Sequence, residues 1–324
     1  MAKLPHFTSR AFLAPMAGIS DPALRLICKE LGAGLVVTEL TSIHAIIAKE
    51  KQLQTLEKNI SEFIEFSEKE RPIAIQLFGS EIDMLIQATK IVEPFFDIID
   101  YNMGCPAQHI TCQMAGAALL QKPELTRHIF RALVNATTKP VTLKMRAGVK
   151  KPDRFLETAK IAEEEGVAMV ALHARTLAQG YSGIADWNLI KQLKETVSIP
   201  VVGNGDIRTP NDALRMMQET NCDYVMLGRS ACQNPFLFSQ INELLEKGTY
   251  NEVDILQRTQ MFFKYLTYAE KYNTIKFVHM RMHAMNFTKG VEGGTLLRER
   301  IGKVKTIEEL KKLLTEEIIN KSVY

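Results

Sequence analysis

Eight short apolar runs, each followed by a polar or sharply turned residue, constrain this chain more than any other feature. They are Phe12-Leu13, Leu35-Val36-Val37, Ile73-Ala74-Ile75, Ile98-Ile99, Val141-Thr142-Leu143, Met169-Val170-Ala171-Leu172, Ile199-Pro200-Val201-Val202 and Tyr224-Val225-Met226-Leu227. Continuous apolar runs, as opposed to strict alternation, mark strands buried on both faces, as in parallel sheets. The stretches between them carry helical period. Asp153 to Glu165, for example, spaces Phe155, Leu156, Ala159, Ile161 and Ala162 helically and closes on Gly166. Eight such βα units predict a (β/α)8 TIM barrel, an α/β fold, in preference to a doubly wound sheet.

In a barrel of this kind chemistry gathers at the C-terminal ends of the strands. The residues just past the runs are Pro15-Met16-Ala17, Glu39, Gln76, Asn102 with Cys105, Lys144 with Arg146, His173 with Arg175, Asn204-Gly205-Asp206 and Gly228-Arg229. Every strand delivers polar, charged or tightly turned residues to one rim, which is the pattern of an enzyme site. Gly203-Asn204-Gly205-Asp206 and Gly228-Arg229-Ser230 follow the seventh and eighth strands, where barrels most often hold a phosphate. Lys144 suits an anionic flavin ring, since a cation near N1 stabilises the reduced anion. Its alternative is an interior lysine paired with a carboxylate such as Glu39.

Cys105 lies in Asn102-Met103-Gly104-Cys105-Pro106, just beyond the fourth run. Gly104 permits a tight turn and Pro106 fixes the exit, so the thiol is held out of the sheet as a nucleophile or an acid. The small residues of 110–120 allow close backbone approach, by a ligand or by neighbouring structure. The other cysteines (Cys28, Cys112, Cys222, Cys232) form no C-x-x-C pair. Disulfides and structural zinc are not expected; Cys105 and Cys112, with His109 between them, could suit a metal only with further ligands.

Net charge is only +3, but its distribution is uneven: Lys271 to Lys305 holds eight Lys/Arg against Glu292 and Glu299. That cluster reads as a solvated helical surface or as an electrostatic footprint for nucleic acid. It lies in a strandless stretch. Asp254 to Tyr272 is amphipathic, and Thr306 with Glu309 predicts a capping box opening a last helix. The chain is therefore divided into a barrel domain, residues 1–242, and a small all-helical domain, residues 243–324. With no long apolar span and no apolar leader core, a cytoplasmic protein is expected.

As a set, the motifs resemble the tRNA-dihydrouridine synthases. They are Leu13-Ala14-Pro15-Met16-Ala17-Gly18, Ala74-Ile75-Gln76-Leu77-Phe78-Gly79, Asn102-Met103-Gly104-Cys105-Pro106, Leu143-Lys144-Met145-Arg146, Leu172-His173-Ala174-Arg175, Gly203-Asn204-Gly205-Asp206 and Leu227-Gly228-Arg229. The resemblance implies FMN held by Pro15, Met16, Ala17, Gln76, Lys144, His173, Asn204, Gly205, Asp206, Gly228 and Arg229. It implies reduction of the uracil C5–C6 bond in tRNA, with hydride from reduced FMN to C6 and a proton from Cys105 to C5. NADPH, or NADH, is the implied electron source. Asn102, Arg146, Arg175, Arg281 and His283 are the implied tRNA contacts, and the uracil must be swung out of the folded tRNA.

Two departures touch those contacts. Ala107-Gln108-His109 follows Cys-Pro where the family is often lysine-rich, and Arg281-Met282-His283 replaces the usual Arg-Lys-His. Two other readings remain at this stage. One is another FMN barrel of the dihydroorotate dehydrogenase kind, which needs no basic tail. The other is an RNA-binding barrel without catalysis.

Overall fold

The computed structural model describes residues 2–55, 59–107, 110, 112, 114–291 and 293–320. His109 lies outside the described residues. Strands β1 (Ala11–Leu13), β2 (Leu35–Ser42), β3 (Ile73–Phe78), β4 (Ile98–Met103), β5 (Val141–Gly148), β6 (Met169–Thr176), β7 (Val201–Asn204) and β8 (Tyr224–Leu227) form a closed parallel barrel in chain order. β8 returns to β1 with Phe12 opposite Met226. Each predicted strand is present, but β2 to β6 run on past their apolar residues. Gln76, Asn102, Lys144, Arg146, His173 and Arg175 are therefore strand residues.

Alternation across the pleat sorts each strand into two sets. The outward set packs against the surrounding helices in the main apolar core. The inward set begins at the barrel floor with Phe12, Leu35, Ala74, Ile98, Met169 and Val202, a separate apolar cluster. Phe7 and Tyr224 pack on Phe12 there, with ring centroids 4.8 and 4.6 Å away. Further along these faces the inward side chains become Gln76, Asp100, His173 and Asn204, all buried. An apolar floor beneath a polar upper layer is how one barrel combines a packed base with a reactive rim.

The helix Leu237–Lys247 completes the barrel wall. Asn242 accepts from Ser9 Oγ at 2.6 Å and donates to the Gly32 carbonyl at 2.9 Å, tying this helix to the chain's start. A boundary at 242 thus falls inside a barrel helix. That helix ends at Gly248, at φ of +75°.

Beyond it come helices Ile255–Ala269, Phe277–Phe287, Gly294–Lys303 and Ile307–Leu314. The first is opened by a full capping box between Asp254 and Gln257. At the last, Thr306 accepts from the Glu309 N–H at 3.1 Å, but Glu309 turns its carboxylate to the Lys305 N–H. Only half of the expected box forms. Among the described residues no helix is long and apolar enough to cross a membrane.

Candidate active site

The thiol loop is built from the strand beneath it. Asp100 and Asn102 both face inward from β4. Thr142 Oγ1 donates to one Asp100 oxygen at 2.6 Å and Gln76 Nε2 to the other at 2.7 Å. An ionised carboxylate only accepts, so the Gln76 amide must turn its oxygen the other way, to Asn102 Nδ2 at 2.8 Å. Asn102 Oδ1 in turn accepts the backbone N–H groups of Gly104 at 3.2 Å and Cys105 at 2.9 Å. One buried carboxylate thereby orients two amides and, through them, the Cys105 turn. Burial pushes the Asp100 carboxyl up to about 6, against the hydrogen bonds of Thr142 and Gln76 and the charge of Lys144.

Arg146 holds the same loop from the side. Its Nε donates to the Gly104 carbonyl at 3.0 Å, and its Nη1 to the carbonyls of Thr176 and Gly180, each at 2.8 Å. Gly116, at φ +62°, comes so close beneath the turn that a Cβ would sit 2.9 Å from the Cys105 carbonyl oxygen. The close approach at Gly116 is thus to neighbouring structure, not to a ligand. Cys105 itself is half-buried, and Cys112 is exposed. Among the described residues there is no cluster of His, Cys, Asp or Glu suited to a metal.

Beside this loop opens a cavity of about 500 Å3 over the ends of β1 and β5 to β8. Of the expected cofactor residues, Pro15, Met16, Lys144, His173, Asn204, Gly205, Asp206, Gly228 and Arg229 line it; Ala17 and Gln76 do not. Lys144 stands opposite Asn102 in the β4–β5 register, which sets the thiol loop against the cavity wall. Its Nζ reaches Asn204 Oδ1 at 3.4 Å, and the Asn204 amide is fixed by donating to the Met226 carbonyl at 2.7 Å. Glu39 is not its partner: that carboxylate accepts the Gly18 N–H at 2.6 Å. Burial and then the Arg146 charge bring the Lys144 ammonium down to about 8. His173 is held down to about 2 by burial and by Lys144, Arg146, Arg175 and Arg229, so the ring is neutral.

Arg175 is fully buried and also lines the cavity. It pairs with Asp206 at 2.7 Å and donates to the carbonyls of Ser182 and Gly183. Its Nη1 is buried without a partner among the described residues. Gly205 is required by packing as well as by its φ of +131°, since a Cβ there would lie 2.7 Å from Ala185 Cβ. At Gly228 a Cβ would meet nothing nearer than Met16 Sδ at 3.6 Å, so the open space beside it belongs to the cavity.

Sequence reasoning missed several lining residues. Tyr181 is 57% exposed at the cavity edge, with the guanidinium of Arg229 4.2 Å and that of Arg146 5.7 Å from its ring centroid. Its signal was the pair Gly180 and Gly183, both at positive φ, which flank a tight loop after β6. Arg208, Arg258 and Lys289 also line the cavity. The last two arrive from the helical region and carry no local motif.

The two residues carried over in the helical region part company. Arg281 Nη1 donates to the carbonyls of Gly302 and Val304 at 3.2 and 3.3 Å, and its guanidinium lies over Phe277. His283 is completely buried: Nε2 lies 3.1 Å from Asp21 Oδ2, which also accepts from Tyr265 Oη at 2.8 Å. A residue with no exposed surface cannot touch tRNA. Its place is the joint between the helical region and Asp21, the N-cap of the barrel helix Pro22–Glu30.

Fold and site together define a (β/α)8 barrel enzyme whose rim joins a framed thiol to a cation-rich ligand cavity. The chain belongs to the dihydrouridine synthase family, whose model matches residues 12–323. It is 41% identical over 243 residues to tRNA-dihydrouridine synthase B of Pasteurella multocida (strain Pm70), covering 74% of this chain and 71% of that protein. It is 37% identical over 331 aligned positions to a probable tRNA-dihydrouridine synthase of Mycobacterium tuberculosis (strain H37Rv), covering 95% and 82%. Among solved structures it superposes on histamine dehydrogenase from Rhizobium sp. 4-9 with a TM-score of 0.57 at 17% identity. That match covers 81% of this chain and about half (49%) of the other, and shows the shared barrel alone.

Proposed function

We infer that the chain reduces specific uridines of tRNA to 5,6-dihydrouridine, drawing electrons from NADPH or NADH through FMN. The observation that carries this reading is the placement of the Cys105 turn against the Lys144 wall of the cavity, in a chain that matches the dihydrouridine synthase model almost throughout. The residues fit FMN. The cavity has the size of a small-ligand site, and its lining offers the Lys144 ammonium, the neutral His173 ring, Met16, and the cations Arg208 and Arg229. The buried, unpartnered Arg175 Nη1 is a donor awaiting an acceptor at the same wall.

The chemistry that reduced FMN supplies in such a site is hydride donation to C6 of the uracil. The chain's own residues do the rest. Lys144 sets a positive charge beside the cavity and stabilises negative charge there. Asn102 holds the Cys105 backbone in its turn, so the Sγ–H meets C5 from a fixed direction and delivers the proton that completes reduction. Arg146, with three bonds to loop carbonyls, keeps the β4 and β6 loops together while the base enters. Tyr181 presents an exposed ring at the cavity mouth, where an unstacked base needs an aromatic face.

The tRNA itself meets the basic helical face, on which Lys271, Lys276, Lys303 and Lys305 are exposed. The enzyme then works in the cytoplasm. Mass-spectrometric mapping of dihydrouridine in tRNA from cells lacking this protein tests the reading and locates the uridine. Loss of the modification at defined positions is expected; an unchanged dihydrouridine map would refute it.

A further inference from the structure

We propose that Arg258, from the helical region, completes the binding site for the cofactor's phosphate, so that holding FMN and seating the helical region on the barrel are one event. The inference rests on the FMN reading above and concerns residues that none of the sequence motifs contains.

Arg258 belongs to the helix Ile255–Ala269, yet its side chain lines the same cavity as Gly228, Arg229 and Ser230 at the end of β8. Its guanidinium is pinned: Nη2 donates to the Phe287 carbonyl at 2.6 Å and to the Lys289 carbonyl at 2.9 Å. Those two acceptors come from the end of the helix Phe277–Phe287 and the turn after it, so the side chain is held by its own domain. Among the described residues no carboxylate neutralises it. Among the described residues Arg258 enters no ion pair, its Nε is buried without a partner, and burial alone acts on its titration, downward.

Carbonyl oxygens satisfy hydrogens but leave the net charge in place. A half-buried cation without a counter-ion is costly unless an anion arrives. Among the described residues the cavity it faces offers no free acid: Asp206, the one carboxylate in its lining, is committed to Arg175 and to the Ala185 N–H. Lys289 lines the cavity as well, and its charge is felt at Cys232 on the short helix Arg229–Gln233. Arg208 and Arg229 from the barrel and Arg258 and Lys289 from the helical region line this one cavity, and a dianionic phosphate monoester is a ligand suited to such a set of four cations. An RNA backbone phosphate shares this chemistry but carries one charge and stays in the chain of the tRNA.

The full-chain protein, freed of flavin, is titrated with FMN and with riboflavin, which lacks only the phosphate, following flavin fluorescence. The wild type should prefer FMN strongly. Arg258→Ala should weaken FMN binding about tenfold, the loss of one charge-assisted contact, and leave riboflavin binding unchanged. Lys289 is exposed, so Lys289→Ala leaves folding intact and should weaken FMN alone by about threefold. FMN should also raise the melting temperature of the wild type more than riboflavin does, and Arg258→Ala should narrow that difference. Equal loss of FMN and riboflavin would make Arg258 a purely structural residue and overturn the proposal. So would unaltered FMN affinity in both variants, including the case where the salt dependence of tRNA binding falls instead. A wild type that binds neither flavin would remove the cofactor reading itself.

Discussion

Residues spaced two apart serve opposite ends in the barrel and in the helical region. On β5 and β6 the pairs Lys144/Arg146 and His173/Arg175 point the same way, because a strand repeats every two residues, and all four reach the barrel interior. On the helix Phe277–Phe287 the equally spaced Arg281 and His283 point apart, since two residues there turn about 200°. Arg281 holds the end of the helix Gly294–Lys303, and His283 is locked against Asp21 and Tyr265. A motif's spacing therefore assigns function only once the element that carries it is known.

That contrast can be broken by experiment, beginning with His283. If it is a joint and not a tRNA contact, His283→Ala should cost about 3–5 kcal/mol, because it empties a buried site and strips Asp21 of a partner. Denaturant unfolding reads the loss, while tRNA affinity per folded molecule should stay unchanged. A variant of normal stability with weakened tRNA binding would return His283 to the substrate side.

Asp100 gives the next effect, of about 3 kcal/mol. Burial raises its carboxyl from the ordinary 3.8 to about 6, so the folded chain holds that proton more tightly than the unfolded chain. Its contribution to stability is fully present below about pH 4 and is lost as the pH rises through 6. Asp100→Asn can keep one bond to Gln76 and one to Thr142 without a charge. The variant should therefore lack the fall in stability that the wild type shows between about pH 4 and pH 7. Parallel stability–pH curves for the two proteins would show that Asp100 does not titrate there.

The smallest effect belongs to the exposed basic face. Lys303→Glu with Lys305→Glu should weaken tRNA binding several-fold and lower its salt slope by about 1–2, with melting unchanged. An unaltered slope would leave recognition to the barrel rim alone.

The order and place of all eight strands were legible because buried parallel strands are written as apolar runs. The lengths of β2 to β6 were not, since their upper halves are polar and look like loop when apolarity is the only guide. Asp100 was passed over for that reason. Counting in twos from Ile98 leads through Asp100 to Asn102 and would have placed it inside the barrel. Gln76 was expected at the rim, but it lies buried within β3 and its amide is spent on Asp100 and Asn102, a partnership of three separate chain positions that no single motif displays. Arg258 was invisible for a similar reason, and Lys289 was seen only as one cation of the basic cluster: the docking of helices through Asp21, Tyr265 and His283 brings both to the cavity.

The central claim is that one rim holds both the hydride-donating cofactor and the proton-donating Cys105. It is tested most directly by reducing the full-chain holoenzyme, mixing it with tRNA that lacks dihydrouridine, and following flavin reoxidation in wild type and in Cys105→Ala. The wild type should reoxidise as the tRNA gains the mass of two hydrogens. Cys105→Ala should retain its flavin and bind tRNA, yet slow by about 100-fold or more. Reoxidation of Cys105→Ala by tRNA at the wild-type rate would contradict the account.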